Sequence, residues 1–231
     1  MNWTQLYSEK KVLMFHPWYG ELGWEIMTWA PRLRWIHRQV NPDKSIVTSF
    51  QGMSALYADF AGFQAHQCQI RGLEYEKKFK LGEEAIYYKY GIPDRKYSIL
   101  IHCRSLKHKE EINYQNWEKI FDVVKNLSVG VIGSKSDNYF GIGDDLRGIE
   151  LQSLMNYMAG ARCAVGVSSG TIHLASACNC PQLVWGDGVH FNETLEKRYK
   201  EIWNPFGSKV EFINEWQPDH SIILDKLGVF L

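Results

Sequence analysis

Between residues 97 and 185 short apolar runs alternate with amphipathic stretches, and this alternation restricts the folds that the chain can adopt. The apolar runs predict buried strands, whereas the stretches between them carry apolar residues at helical spacing. Strands that alternate with helices form parallel sheets covered on both faces. The predicted strands are 97–103, 129–132, 163–167 and 182–185, and the predicted helices are 116–127, 151–159 and 171–177.

The first half of the chain repeats this order in a shorter form. An apolar run at 11–16 predicts a strand, apolar residues at helical spacing over 23–40 predict a helix, and a β-branched run at 45–50 predicts a second strand. The fold class is therefore α/β with parallel sheets, and the second half is predicted to be a Rossmann-like domain. Weaker patterns predict a helix at 53–60, a strand at 66–70 and a helix at 83–90.

Gly91-Ile92-Pro93 marks the boundary between the two halves, because glycine and proline together end a helix or strand. The sequence predicts an N-terminal domain at 1–93 and a C-terminal domain at 94–215. An amphipathic stretch at 220–230 follows. We expect the segment 216–231 to form a helix that packs back on the first domain.

Composition narrows the possible environments and partners. With 26 Lys and Arg against 26 Asp and Glu, the chain has no net charge that would attract it to nucleic acid or to an anionic membrane. No apolar run approaches the roughly 18 residues of a membrane span, and the first residues lack the apolar core of a secretion signal. The odd number of cysteines, five, is typical of free thiols in a reducing compartment. We therefore expect a cytoplasmic protein.

A polar turn follows the predicted strand at 163–167. Ser168 and Ser169 precede Gly170 and Thr171, where a helix is predicted to begin. A hydroxyl there caps the helix, glycine lets the backbone approach a ligand, and the free N–H groups with the helix dipole form an anion site suited to a diphosphate. Taken alone, the same four residues also fit a helix that is simply well capped.

A longer stretch around this turn resembles the nucleotide site of GT-B glycosyltransferases, above all the heptosyltransferase-like enzymes of family 9. The shared pattern runs from Ser168-Ser169-Gly170 through His173 to Ala175 and continues to Gly186 at the end of the next strand. The resemblance implies a compact GT-B fold, in which two Rossmann-like domains with parallel sheets face a cleft. It also implies that Ser169, Gly170 and Thr171 hold the phosphates of a nucleotide sugar. Ser168 departs from the Asp that is common in the family.

His102 and Arg104 lie at the carboxyl end of the predicted strand 97–103, where open α/β sheets bind their ligands. Two residues apart on a strand, both side chains face the same way. An arginine there can bind a diphosphate and neutralise the charge that develops on the leaving group. The alternative is an ordinary surface arginine. The pair resembles the His-x-Arg motif of fucosyltransferase-like enzymes, which implies contact between Arg104 and the diphosphate.

The loop after the first strand, 16–25, combines two glycines with two carboxylates beside a helix start. A carboxylate in such a loop can take the proton from an acceptor hydroxyl, or it can simply complement the helix dipole. The loop resembles the Gly-rich first loop of both families, in which an acidic residue is the presumed base. Gly20-Glu21 fits one form directly, whereas Gly23 and Glu25 fit the other with one inserted residue, so Glu21 is the first candidate and Glu25 the second. His16 is a third.

The sequence also lacks several motifs. It contains no Asp-x-Asp, no His, Cys and Asp cluster at metal-ligand spacing, no P-loop and no Gly-x-Gly-x-x-Gly. We therefore expect no metal ion and no cofactor. The catalytic candidates are Glu21, Glu25 and Arg104, and the substrate-binding candidates are Gly20, Gly23, His102, Ser168, Ser169, Gly170, Thr171, His173, Gly186 and Asp187.

These features predict an inverting, metal-independent glycosyltransferase that moves a sugar from a nucleotide diphosphate sugar to an acceptor hydroxyl. The acceptor stays open between a glycan, a lipid-linked sugar, a protein and a modified nucleobase. Two other functions remain: a sugar-nucleotide epimerase or isomerase, which would use the same residues without an acceptor, and a binding module that holds the nucleotide sugar without catalysis.

Overall fold

The computed structural model describes residues 12–67, 84–105, 113–186 and 195–231. These residues fall into two compact units that divide between Tyr88 and Lys89, a few residues before the predicted boundary at Gly91-Ile92-Pro93. Every strand pair among the described residues is parallel. No helix in this described part of the chain combines the length and the apolar character needed to cross a bilayer.

The first unit contains a three-stranded parallel sheet in the order β1-β2-β3. A continuous helical stretch joins β1 to β2 and ends at Asn41, whose left-handed φ of 47° stops it. The strands are β1 (Val12–Met14), β2 (Lys44–Phe50) and β3 (Gly62–His66), and the helical stretch comprises α1 (Leu22–Trp24), a π-helical segment (Glu25–Trp29) and α2 (Ala30–Val40), with a 3₁₀ turn at Ser54–Leu56.

The second unit contains a six-stranded parallel sheet in the order β6-β5-β4-β7-β8-β9. Its strands are β4 (Ile99–His102), β5 (Val129–Ile132), β6 (Asp144–Asp145), β7 (Cys163–Val167), β8 (Gln182–Gly186) and β9 (Val210–Asn214). Its helices are α3 (Trp117–Val124), α4 (Leu151–Gly160), α5 (Gly170–Ala177), α6 (Leu195–Lys197), which continues as a π-helical segment (Arg198–Ile202), and α7 (His220–Leu227).

The four central strands β4, β5, β7 and β8 are buried along their whole length, which explains why they appear in the sequence as uninterrupted apolar runs. Helix α3 buries Trp117, Ile120, Phe121 and Val124, which lie on one face at helical spacing. The strand and helix predictions between 97 and 185 are confirmed to within a few residues.

Several weaker predictions are wrong. Residues 84–90 are not helical, because tertiary contacts hold this stretch against the π-helical segment and α2. The Ile86 amide donates to the Pro31 carbonyl, and the Tyr87 hydroxyl donates to the Met27 carbonyl. The strand expected at 66–70 lies at Gly62–His66, and residues 68–70 lie outside the described part. The helix expected at 53–60 is reduced to one 3₁₀ turn. Strand β9 and the helical residues 195–202 had not been predicted.

The C-terminal helix also departs from the sequence prediction. Asp219 caps α7 by accepting the Ser221 amide. Ile223 and Leu227, one turn apart, are buried in the core of the second unit together with Trp117 and Phe121. Helix α7 therefore belongs to the second unit, because its apolar stripe covers the part of that core beside α3, and it is not the helix of the first domain that we expected.

We predict that Ile223→Ala lowers the free energy of unfolding by about 2–5 kcal/mol, the range typical of a large residue removed from a core. Ile222 is the matched control because it neighbours Ile223 on the same helix but is 41% exposed, whereas Ile223 is fully buried. Ile222→Ala should change stability by less than about 1 kcal/mol. Urea unfolding of both variants measures the difference, and equal losses would contradict the packing of α7.

Candidate active site

The carboxyl edge of the second sheet brings together side chains from widely separated parts of the sequence. In a parallel sheet all strands end at the same edge. His102 ends β4, Ser168 and Ser169 follow β7, and Gly186 ends β8. Because β4 pairs with β7 and His102 stands opposite Gly166, the ends of these two strands lie side by side.

His102 is almost fully buried between Gly166 on β7 and Gly133, which directly follows β5. A Cβ atom at Gly166 would lie 3.1 Å from the His102 Cβ atom, and one at Gly133 would lie 2.8 Å from its Cδ2 atom. These strand ends therefore leave room for the imidazole. Its Nδ1 atom lies 2.9 Å from the Ser169 Oγ atom, and its Nε2 atom lies 3.2 Å from an oxygen of Asp137.

Asp137, which was not among the sequence candidates, follows β5 and accepts hydrogen bonds at both of its carboxylate oxygens. The Ser105 amide donates to Oδ1, while the Ser134 amide and hydroxyl donate to Oδ2. Burial on its own raises the pKa of Asp137, but hydrogen bonds from His102 and from these amides lower it to about 2. Asp137 is therefore ionised at neutral pH. The sequence signal for Asp137 was its position three residues after Ser134, just beyond the end of a predicted strand.

Ser169 caps helix α5. Its backbone is extended, and its Oγ atom accepts the Ile172 amide at 3.3 Å. The next two amides, of Gly170 and Thr171, have no hydrogen-bond acceptor among the residues that the structure describes. Unsatisfied amides at a helix N-terminus, with the positive end of the helix dipole, form an anion site.

Arg104 reaches the same turn from the end of β4. Its backbone amide donates to the His102 carbonyl at 3.0 Å, and its Nη1 atom donates to the Ser168 carbonyl at 2.9 Å. The half-buried guanidinium group therefore lies beside the turn that precedes α5. His102, Arg104, Ser168 and Ser169, all predicted from the sequence, are in this way brought together by hydrogen bonds.

Tyr199 forms hydrogen bonds with both serines of this turn and was not predicted from the sequence. Its buried hydroxyl group donates to the Ser168 Oγ atom at 3.0 Å and accepts the Ser169 amide at 3.3 Å. Burial raises the pKa of Tyr199, so the phenol keeps its proton. In the sequence Tyr199 stands between the charged residues Arg198 and Lys200, a pattern typical of an exposed segment. Only its four-residue spacing from Leu195, which is buried, indicates that Tyr199 faces the core.

His173 lies in the first turn of α5 and is enclosed by aromatic rings. It stacks on Tyr199 with ring centroids 4.8 Å apart and meets Trp203 edge to face at 4.4 Å. Burial, and then the positive charges of Arg104 and Arg198, lower its pKa to about 3. His173 is therefore neutral at neutral pH and offers no positive charge to a ligand. Its Nδ1 atom is buried without a hydrogen-bond partner in the described part of the chain.

Gly186 has a packing role at the end of β8. A Cβ atom there would lie 2.9 Å from the Leu195 Cδ2 atom, so glycine allows the helical residues that carry Tyr199 to approach the sheet. The other candidate at this strand end, Asp187, lies outside the described residues.

In the first unit the two candidate carboxylates have opposite environments. Glu25 is fully buried in the π-helical segment, and its Oε1 atom accepts the hydroxyl groups of Ser49 and, at 2.7 Å, of Tyr57. Glu21 is exposed and precedes α1, and its side chain does not cap that helix. Glu25 thus ties the helical stretch to β2 and to the segment before β3, whereas Glu21 lies on the exposed side of the stretch.

The three other sequence candidates of this loop lie close to Glu21. Gly20 is buried, and a Cβ atom there would collide with the Trp18 ring, so only glycine fits. Gly23 is half-buried within α1. His16 is exposed, and its Nδ1 atom lies 3.0 Å from the Pro17 carbonyl.

No family model matches the chain, and no curated protein matches it by sequence. Solved structures do match it. The E. coli ADP-heptose lipopolysaccharide heptosyltransferase II has a TM-score of 0.65 and 10% identity over 95% of this chain and 98% of that one. The fold is that of the heptosyltransferases. The predicted α/β fold with parallel sheets of the GT-B type is thereby confirmed.

Two further structures share the heptosyltransferase fold. The E. coli heptosyltransferase WaaC with ADP has a TM-score of 0.53 and 11% identity over 95% of this chain and 99% of that one. The dodecameric, iron-containing glycosyltransferase TibC from enterotoxigenic E. coli has a TM-score of 0.55 and 14% identity over 90% of this chain. The chain spans 62% of TibC.

We predict that His173 makes the protein less stable in acid. Its pKa falls from 6.5 to about 3 on folding, so between these values the unfolded chain binds a proton that the folded protein refuses. The contribution of neutral His173 to the free energy of unfolding is complete above about pH 6.5 and is lost as the pH falls towards about 3. His173→Phe keeps an aromatic ring but cannot bind a proton. It should reduce the slope of the unfolding free energy against pH by an amount that corresponds to up to about one bound proton.

Urea unfolding at several pH values between about 6.5 and about 4 measures this slope, above the range in which Asp137 titrates. Unchanged slopes in wild type and variant would show that His173 is protonated in the folded protein.

Proposed function

We propose that the protein is a glycosyltransferase whose second unit binds a nucleoside diphosphate sugar at the N-terminus of α5. The observation that carries this proposal is the pair of unsatisfied amides at Gly170 and Thr171, with the Arg104 guanidinium beside the same turn. Amides, a helix dipole and an arginine together suit a diphosphate. The heptosyltransferase fold and the ADP complex of WaaC support the same class of ligand.

Arg104 supplies the positive charge in this arrangement. His173 is neutral, and Ser168 and Ser169 carry no charge, so these groups shape the turn. The guanidinium group neutralises part of the negative charge of the phosphates. When the bond between sugar and diphosphate breaks, negative charge grows on the leaving oxygen. Arg104 and the helix N-terminus stabilise that charge without reorganisation.

The proposed transfer is a single displacement with inversion. The acceptor hydroxyl gives its proton to a carboxylate, its oxygen attacks the anomeric carbon, and the bond from that carbon to the diphosphate oxygen breaks with its electron pair going to the diphosphate. We assign the base to Glu21 ahead of Glu25. Glu21 is exposed to an acceptor, whereas the Glu25 carboxylate is buried and already accepts two hydroxyl groups.

We propose that the transfer needs no divalent metal ion, since amide and guanidinium groups at this turn can stabilise the charge of the leaving diphosphate. Among the described residues no group of three or more His, Cys, Asp and Glu side chains could hold one. The acceptor carries a hydroxyl group and belongs to one of four classes: glycan, lipid-linked sugar, protein or modified nucleobase.

We predict that Arg104→Ala weakens the binding of ADP, GDP or UDP by roughly 10- to 100-fold, the loss expected for one hydrogen bond to a charged group. Arg162→Ala is the matched control. Arg162 is exposed and precedes β7 at the opposite edge of the sheet, and its replacement removes the same charge. Isothermal titration calorimetry compares the three proteins. If Arg104→Ala keeps the wild-type affinity, the diphosphate binds elsewhere.

We predict that Glu21→Gln lowers turnover by about 10²- to 10⁴-fold while donor affinity changes little, because glutamine keeps the size and loses the basicity. Glu25→Gln is the control, since the glutamine oxygen can still accept the hydroxyl groups of Ser49 and Tyr57. Sugar release and transfer are assayed in excess EDTA.

Loss of activity in Glu25→Gln alone would move the base to Glu25. If both Glu21→Gln and Glu25→Gln keep wild-type turnover, His16 is the next residue to replace. Activity that EDTA abolishes and Mg²⁺ or Mn²⁺ restores would contradict the metal-free transfer.

A further inference from the structure

We infer that His66 is a positioning residue for the transfer, because its imidazole ring holds the loop that carries Glu21. His66 is the last residue of β3, whereas the loop follows β1. The inference rests on the proposed function, in which Glu21 is the base. His66 needs no contact with a substrate for this role, since its side chain acts through the backbone of Trp18.

One hydrogen bond joins the end of β3 to the loop. The His66 Nε2 atom lies 2.7 Å from the Trp18 carbonyl oxygen. A carbonyl can only accept, so Nε2 carries the hydrogen and donates it. The Trp18 amide in turn donates to the Thr48 carbonyl on β2 at 3.0 Å. Trp18 is therefore held at both of its backbone polar groups by two neighbouring strands of the first sheet.

Aromatic contacts set the orientation of the His66 ring. Phe50 stands opposite His66 in the pairing of β2 with β3, and its ring meets the imidazole edge to face with centroids 4.5 Å apart. Tyr19 packs against the imidazole with centroids 4.8 Å apart. The His66 Nδ1 atom is buried without a hydrogen-bond partner among the described residues. Within that part of the chain the ring therefore makes a single hydrogen bond, to Trp18.

Gly20 connects the fixed position of Trp18 to Glu21. The Trp18 ring is almost fully buried and stacks on Trp29 of the π-helical segment, with centroids 5.3 Å apart. Gly20 lies directly against this ring, where no Cβ atom fits. On the other side, Glu21 is tied to the start of the helical stretch, since its carbonyl accepts the Glu25 amide at 3.0 Å. The backbone at Glu21 is therefore restrained from both sides.

Without its hydrogen bond, His66 no longer restrains the Trp18 carbonyl. The loop then keeps its ties to β2 and to the helical stretch but loses the tie to β3, and Glu21 loses one of the restraints on its position. A shift of about 1 Å in a catalytic group can lower turnover by up to about 10²-fold. Donor binding should not change, because the proposed donor site lies in the second unit.

The experiment is a double-mutant cycle of His66→Phe with Glu21→Gln. Phenylalanine keeps an aromatic ring beside Phe50 and Tyr19 and removes the donor to Trp18. Turnover is measured as sugar release from ADP-glucose, GDP-mannose and UDP-glucose, with water as the acceptor. We expect His66→Phe to lower kcat by roughly 10-fold and to leave KM for the sugar nucleotide unchanged. In the Glu21→Gln background the same change should have no further effect, because the loop acts through the base.

Two further variants separate the hydrogen bond from stability. His66→Gln should restore most of the lost turnover, because its amide group can donate to the same carbonyl. His37→Phe is the matched control: His37 is also half-buried in the first unit, packs against Phe60 and lies 2.8 Å from the Ser45 hydroxyl group. It should keep wild-type turnover although it loses that contact. Urea unfolding checks that each variant is folded, and His66→Leu replaces His66→Phe if the latter is not.

Wild-type turnover in His66→Phe would overturn the inference while the proposed function stands. The same holds if the double variant is slower than Glu21→Gln by the factor seen for His66→Phe alone, or if His66→Gln is as slow as His66→Phe. Wild-type turnover in Glu21→Gln would instead contradict the proposed base, and the inference would fail with it. If the wild type releases sugar from none of the three sugar nucleotides, both proposals fail.

Discussion

The parallel pairing of β4 with β7 is the constraint on which the candidate site depends. It sets His102 opposite Gly166, so that the end of one strand lies beside the turn that follows the other. Arg104 can then donate to the Ser168 carbonyl, and His102 can contact Ser169. A shift of one residue in this pairing would turn these side chains to the other face of the sheet, because side chains alternate along a strand.

Around this pairing, the buried polar groups form a connected chain from Asp137 through His102 to Ser169, with Tyr199 completing it through Ser168. A buried polar group without a partner costs roughly 1–3 kcal/mol, so each of these contacts also restrains its neighbours. The loops that follow β5, β4 and β7 and the helical residues after β8 are held together in this way. The amides of Gly170 and Thr171 at the start of α5 have no acceptor among the described residues.

The two carboxylates of the first unit show how burial separates residues that look alike in sequence. Glu25 and Glu21 lie four residues apart in one glycine-containing loop, and both are acidic. Burial of Glu25 is tolerated because the hydroxyl groups of Ser49 and Tyr57 compensate for lost hydration. The π-helical segment buries Glu25 against β2, whereas Glu21, which precedes the segment, is exposed.

The sequence by itself determined the α/β class, the central strands of the second sheet and the cluster of His102, Arg104, Ser169 and Gly170, because buried strands and helix starts carry local signals. Tertiary structure alone decided the rest. Asp137 and Tyr199 belong to the site through contacts with residues far apart in the chain. The local patterns around them do not indicate which residues they contact. Residues 84–90 do not form the helix that the sequence predicts, because they form hydrogen bonds with the π-helical segment and α2. Helix α7 packs in the core of the second unit because its apolar stripe fits there. Propensity is local, whereas burial and hydrogen-bond partners depend on the whole fold.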